Sequence, residues 1–160
     1  MTVFKRVLVA TDFDEPASCA VDVAVTLAST FEAELLLFHA YWFPPIGYAT
    51  YAEGLCWPTA DISAQDAKVF DALVAKVKLR YPRTEGILVD GEPWGAILQA
   101  VKDRGADLII LGTHGRRGLS RVFLGSVAEK IVRLSPVPVL TIPGRVDSEA
   151  NARAIPPVSG

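Results

Sequence analysis

The chain has 160 residues, 51% of them hydrophobic and 21% charged, which suits one domain with a buried core and argues against a disordered chain. Sixteen basic and eighteen acidic side chains give a net charge of −2, which argues against a partner such as nucleic acid or a membrane surface. No apolar run approaches the roughly 18 residues of a spanning helix, and no signal-peptide pattern opens the chain. We therefore expect a cytoplasmic protein whose two cysteines, Cys19 and Cys56, are reduced.

Short apolar runs alternate with longer segments of helical spacing along the chain. The runs predict five strands, at 6–11, 34–40, 86–89, 107–111 and 137–142. The segments between them predict helices that start at Pro16, near Ala67, at Pro93 and after the glycine-rich segment that follows the fourth strand. Residues 41–62, rich in aromatic residues, proline and glycine, predict a long loop.

Strands that are apolar on both faces and separated by helices predict a parallel sheet covered on both sides. Right-handed crossovers then give a three-layer, doubly wound α/β domain of the flavodoxin-like type. We expect this domain to span residues 1–143 and to be followed by a loosely ordered tail at 144–160.

The segment from Gly112 to Ser126 has a composition that suits phosphate. It lies between the fourth strand and a helix, where ligands of open α/β sheets bind. Its glycines let backbone amides approach an anion, and the helix N-terminus that it reaches favours negative charge. Five basic residues and one acidic residue between Gly112 and Arg133 give a local charge of +4, which favours an anionic ligand.

Two alternatives for this segment follow from the residues alone. Ser126 and Glu129 have the spacing of a capping box, and in this alternative both residues serve only to begin the helix. A glycine-rich turn between a strand and a helix is also common in α/β folds. The chain has neither the Gly-Lys-Ser/Thr of a P-loop nor, after its first strand, the Gly-x-Gly-x-x-Gly of a dinucleotide site.

The glycine spacing resembles that of the universal stress protein family, in its ATP-binding branch. Its pattern of Gly, two residues, Gly, nine residues and Gly-Ser/Thr is matched by Gly112, Gly115 and Gly125-Ser126. Residues 7–14, the Phe38-His39-Ala40 run, Gly91-Glu92-Pro93 and residues 135–140 also resemble the family. The resemblance implies an adenine-nucleotide α-hydrolase-like domain with the strand order 3-2-1-4-5.

The resemblance also implies an ATP site. Asp12 would lie near the adenosine, and the glycines with Ser126 would hold the phosphates, which a Mg²⁺ ion could bridge. Ala128 stands where the family often has a second hydroxyl residue, which removes one phosphate hydrogen bond. The predicted nucleotide-binding residues are Ala10, Thr11, Asp12, Ala40, Leu111, Gly112, Gly115, Arg116, Gly125, Ser126 and Val127.

Other roles remain open for several polar residues. Asp12 precedes a helix, and the alternative to a ligand-binding role is that it caps this helix or favours its dipole. His39 and His114 have no second histidine or carboxylate at ligand spacing, so we predict structural roles for both and no metal site built from the protein alone.

Three classes of function are consistent with these residues. The first is an ATP-binding regulatory or stress-response module with little or no turnover, which the complete glycine spacing and the lack of an evident catalytic base favour. The second is a slow ATPase or autophosphorylating enzyme with Ser120 or Ser126 as acceptor. The third is a dimerisation protein that binds no nucleotide. An apolar edge strand from Val137 to Ile142 predicts a homodimer, as the family resemblance also implies.

Overall fold

The computed structural model describes residues 4–42, 59–113 and 124–144, with only the backbone for 59–63. Strands and helices alternate along these ranges. They are β1 (Arg6–Ala10), α1 (Glu15–Phe31), β2 (Glu34–Tyr41), α2 (Thr59–Arg80), β3 (Thr84–Asp90), α3 (Pro93–Arg104), β4 (Leu108–Gly112), α4 (Ser126–Leu134) and β5 (Val139–Ile142). No helix in these ranges has the length and apolarity needed to cross a membrane.

The strands form one parallel sheet in the order β3-β2-β1-β4-β5, which confirms the predicted fold class and strand order. Because successive side chains of a strand point to opposite faces, β1 contributes to two cores. Val7 and Val9 pack with α1 and α2, whereas Leu8 packs with α3 and α4. Helices therefore cover both faces of the sheet, which makes the three layers.

The predicted loop at 41–62 was wrong at its carboxyl end. The structure begins α2 at Thr59, four residues inside that range, whereas residues 43–58 lie outside the described part of the chain. The stretch before Thr59 is rich in prolines and aromatic residues without helical spacing. The start of the helix could therefore not be recognised from the sequence pattern.

The predicted starts of two strands were wrong by two residues, and the bounds of the other three strands differ from the prediction by one residue. Strand β3 begins at Thr84, two residues before the predicted start. Thr84 is buried, and its hydroxyl is satisfied by donating to the Tyr81 carbonyl at 2.6 Å. Strand β5 begins at Val139, two residues after the predicted start. The Val137 amide donates instead to Ser135 Oγ at 3.1 Å, and Pro138 has no amide hydrogen to donate.

Candidate functional site

A cavity of about 450 Å³ opens at the carboxyl ends of β1 and β4. These two strands are neighbours at the centre of the sheet, where the chain changes its winding direction: β2 and β3 lie on one side and β5 on the other. Crevices at such reversal points are where open α/β sheets bind ligands. The cavity also has the size of an ordinary small-molecule site.

The walls of the cavity are largely apolar. The strand ends contribute Ala10, Phe38, Ala40 and Leu111, and the helices that follow on one face contribute further aliphatic side chains. A flat aromatic ring with few charges fits a surface of this kind. The residues contributed by the helices on that face are Pro93, Ile97, Val127 and Ala128.

The turn after β1 supplies polar groups, and its shape is fixed by local hydrogen bonds. Thr11 Oγ1 accepts from the Phe13 amide at 3.1 Å, and Asp12 Oδ1 accepts from the Asp14 amide at 3.2 Å. Short polar side chains that bond the backbone two residues on stabilise such turns. Phe13 has a positive φ of 66°, which is uncommon for a bulky residue. Thr11 and Asp12 both line the cavity.

The charge around the described part of the cavity is negative. Asp12, Asp14 and Glu15 line it, and no lysine or arginine does so among the described residues. Asp14 is the N-cap of α1, yet its side chain makes no capping hydrogen bond. Helix α1 thus begins at the cavity and brings backbone amides with it. The alternative role of Asp12 as the cap of α1 does not apply, because Asp14 is the N-cap and Asp12 Oδ1 accepts from the Asp14 amide.

Gly112 ends β4 on the cavity wall, and its missing side chain has a packing reason. A Cβ atom there would lie 2.5 Å from the carbonyl carbon of Pro16 and 2.6 Å from the amide nitrogen of Ala17. No rotamer change relieves a clash with backbone atoms. Gly112 therefore permits the first turn of α1 to approach β4. A Cβ atom on Gly144 would also meet Pro16, at 3.2 Å.

Helix α4 begins without the capping box that Ser126 and Glu129 suggest. Gly125 is the N-cap, Ser126 is the first helical residue, and no side chain caps the helix. The Glu129 amide donates to the Gly125 carbonyl at 2.8 Å, as an ordinary helical bond. Capping therefore does not account for Ser126, which is exposed.

The structure brings most of the predicted nucleotide-binding residues together. Gly125 and Ser126 lie at the start of α4 but are not among the residues that line the cavity, whereas Gly115, Arg116 and His114 lie outside the described residues. The predicted residues that line the cavity are Ala10, Thr11, Asp12, Ala40, Leu111, Gly112 and Val127.

Sequence reasoning missed the side chains that α1 and α3 bring to the cavity. Both helices follow strands of a parallel sheet, so their first turns lie at the same edge as the strand ends. That rule would have pointed to Asp14 and Pro93. The lining residues that were not predicted are Asp14, Glu15, Pro16, Ala17, Phe38, Pro93, Ile97, Thr113 and Ala128. Within the described ranges, no group of three or more His, Cys, Asp or Glu side chains is arranged to hold a metal ion.

Comparisons with known proteins agree on one family. A sequence model described as the Universal stress protein family matches residues 4–143. A protein of Thermus aquaticus named "Universal stress protein in QAH/OAS sulfhydrylase 3'region" is 35% identical over 141 residues, which cover 87% of this chain and 98% of the relative.

Solved structures of the family share the fold. MJ0577 of Methanocaldococcus jannaschii is 25% identical, with a TM-score of 0.70 over 89% of this chain and 98% of its own. A universal stress protein in complex with cAMP is 24% identical, with a TM-score of 0.61 over 89% of this chain and 98% of its own. An Archaeoglobus fulgidus protein in complex with dAMP is 19% identical, with a TM-score of 0.61 over 89% and 99%.

Proposed function

Because the chain belongs to the universal stress protein family, we propose that it binds ATP in the cavity between β1 and β4 and acts as a nucleotide-dependent regulatory module with little or no turnover. The observation that carries this proposal is the cavity itself. The cavity is lined by Thr11 and Asp12 of the turn after β1, by Gly112 at the start of the glycine-rich segment, and by Val127 at the start of α4.

The two ends of the proposed site suit different parts of a nucleotide. The apolar walls around Ala40 and Leu111 suit an adenine ring. The helix start at Val127 and the glycine-rich segment suit the phosphates. Adenine nucleotides are the ligands named for two structural neighbours, in complexes with cAMP and dAMP, which supports adenine over guanine.

The acidic residues at the cavity bear on the form in which ATP binds. Asp12, Asp14 and Glu15 place negative charge beside a ligand that is itself strongly negative. We propose that Mg²⁺ bridging the ATP phosphates, together with Arg116 and the other arginines of the glycine-rich segment, offsets this repulsion. The Mg²⁺ ion would thus be held by the nucleotide rather than by a protein-only site.

The test is binding of ATP, AMP and GTP, each with and without magnesium, followed by thermal shift and calorimetry. Ala40→Phe, on β2, fills the cavity, and Ala75→Phe makes the same change on an exposed site of α2, which covers the other face of the sheet. We expect ATP to stabilise the unaltered chain and Ala75→Phe but not Ala40→Phe. No heat of binding at millimolar adenine nucleotide would refute the proposal, and repeated turnover of ATP would indicate an ATPase.

We also propose a homodimer through antiparallel pairing of β5. This strand is an edge of the sheet, and Leu140 on it is 36% exposed. Val132 and Leu134 of α4, which packs beside β5, are about half exposed and extend the apolar surface. An open apolar edge of this kind is a ready template for pairing with a second chain.

Leu140→Arg is expected to convert this dimer into a monomer, because it places a charged side chain in the apolar edge of each subunit. Size-exclusion chromatography with light scattering should give twice the 17.2 kDa chain mass for the unaltered protein and a single chain mass for the variant. Leu79→Arg is the matched control, since Leu79 is 89% exposed on α2, on the far face of the sheet. A single chain mass for the unaltered protein at micromolar concentration would contradict the proposal.

A further inference from the structure

The side chain of His39, on β2, holds the turn that follows β1. Its Nδ1 atom lies 2.7 Å from the Thr11 carbonyl oxygen. A carbonyl oxygen only accepts hydrogen bonds, so Nδ1 carries the proton and donates it. The Thr11 amide in turn donates to the Phe38 carbonyl at 2.9 Å. Both peptide groups of Thr11 are thereby fixed to β2.

The surroundings of the His39 ring indicate which of its two nitrogen atoms makes a contact that an apolar side chain could not make. The ring is 7% exposed and lies between Phe13, at 4.3 Å between ring centres, and Phe70, at 6.1 Å. Its Nε2 atom is buried and has no hydrogen-bond partner among the described residues. A buried nitrogen without a partner is costly, and an apolar side chain would avoid that cost. The donor on Nδ1 is what an apolar residue could not replace.

The turn held in this way carries two of the proposed ligand-binding residues. Thr11 and Asp12 line the cavity, whereas His39 does not. Phe13, the next residue, has the left-handed backbone conformation that a bulky side chain adopts only when its surroundings hold it there. Its ring contact with His39 supplies part of that restraint.

We propose that His39 is a positioning residue for nucleotide binding: its Nδ1–H holds the Thr11–Asp14 turn in the shape that places Thr11 and Asp12 at the cavity. This inference rests on the proposed function, because its measured consequence is nucleotide affinity. His39 acts from behind the site, through the backbone of Thr11, without touching the ligand.

Three substitutions separate this role from simple packing. Asparagine carries its amide nitrogen at the same number of bonds from Cβ as Nδ1 of histidine, so His39→Asn keeps the donor to Thr11. In His39→Gln the amide lies one carbon further out, and in His39→Leu the space is filled without any donor. We expect His39→Leu and His39→Gln to weaken ATP binding about tenfold, and His39→Asn to stay within about twofold of the unaltered chain.

Calorimetric titration with Mg-ATP gives the affinities, and thermal unfolding without nucleotide gives the stability of each variant. Equal weakening by asparagine and leucine would overturn the proposal, as would unchanged affinity in His39→Leu. Absence of ATP binding by the unaltered chain would count against the proposed function itself. These two failures are therefore distinguishable.

A measurement on the unaltered chain tests the geometry even where a variant fails to fold. Nitrogen-15 NMR of the His39 ring distinguishes a proton on Nδ1 from a proton on Nε2. We expect the proton on Nδ1, in slow exchange with solvent. A proton on Nε2 would overturn the proposal, because Nδ1 would then have nothing to donate to Thr11.

Discussion

Gly112→Ala is expected to destabilise the fold by about 3 kcal/mol, even in the absence of nucleotide. The added methyl group would lie within 2.8 Å of three backbone atoms of Pro16 and Ala17. Because the clashing atoms belong to the backbone, no side-chain rotation relieves the contact. Strand β4 and helix α1 must therefore move apart. Urea unfolding of the unaltered chain and the variant, without ligand, measures the difference.

Gly95→Ala is the matched control for this substitution. Gly95 lies in the first turns of α3, and a Cβ atom there would have no neighbour within 4 Å. Alanine is the better helix former, so we expect Gly95→Ala to be neutral or to stabilise the protein by up to about 1 kcal/mol. If Gly112→Ala instead lost only ATP affinity and kept its stability, the glycine would serve the ligand and not the packing of α1.

Asp12→Asn is expected to weaken ATP binding by about 1.5–3 kcal/mol, or roughly 10- to 150-fold. The asparagine keeps an oxygen for the Asp14 amide, so the turn retains its hydrogen bond. It replaces the other carboxylate oxygen with a donor, and removes the charge that a ribose hydroxyl or an adenine amino group would donate to. Calorimetric titration with Mg-ATP gives the affinity.

Glu15→Gln removes the same charge from the same cavity and serves as the control for Asp12→Asn. Relief of repulsion toward the phosphates is expected to leave ATP affinity unchanged or to strengthen it slightly. Equal weakening by both substitutions would mean that the total charge matters and that Asp12 makes no specific contact. An unchanged affinity in Asp12→Asn would remove Asp12 from the site.

The sheet could be predicted from the sequence because its strands are buried on both faces. Runs such as Leu35 to Phe38 and Leu108 to Leu111 are apolar throughout, and every one of these residues is buried. Their order in space does not follow from such runs. The predicted strand order was implied by the resemblance of the glycine spacing to that of a known family, and the structure confirms this order.

Features that depend on hydrogen bonding by polar side chains could not be predicted in this way. Thr84 pairs with Leu35 of β2 and satisfies its buried hydroxyl at the Tyr81 carbonyl, and no apolar pattern contains that information. His39 belongs to a run that resembles the family, but that run does not indicate the contact with Thr11, which appears only once β1 and β2 lie side by side. The acidic residues Asp14 and Glu15 reach the cavity because α1 begins there.

Pro16 contacts both the cavity and the chain segment that follows the edge strand β5. It lines the cavity, and it lies against both Gly112, at the end of β4, and Gly144, where the chain leaves β5. The Thr113 amide and the Ile142 carbonyl join the same two chain segments at 2.8 Å. The cavity proposed for the nucleotide and the chain segment after the strand proposed for subunit pairing thus both lie against one proline ring. We expect a substitution at Pro16 to change ligand affinity and subunit pairing together.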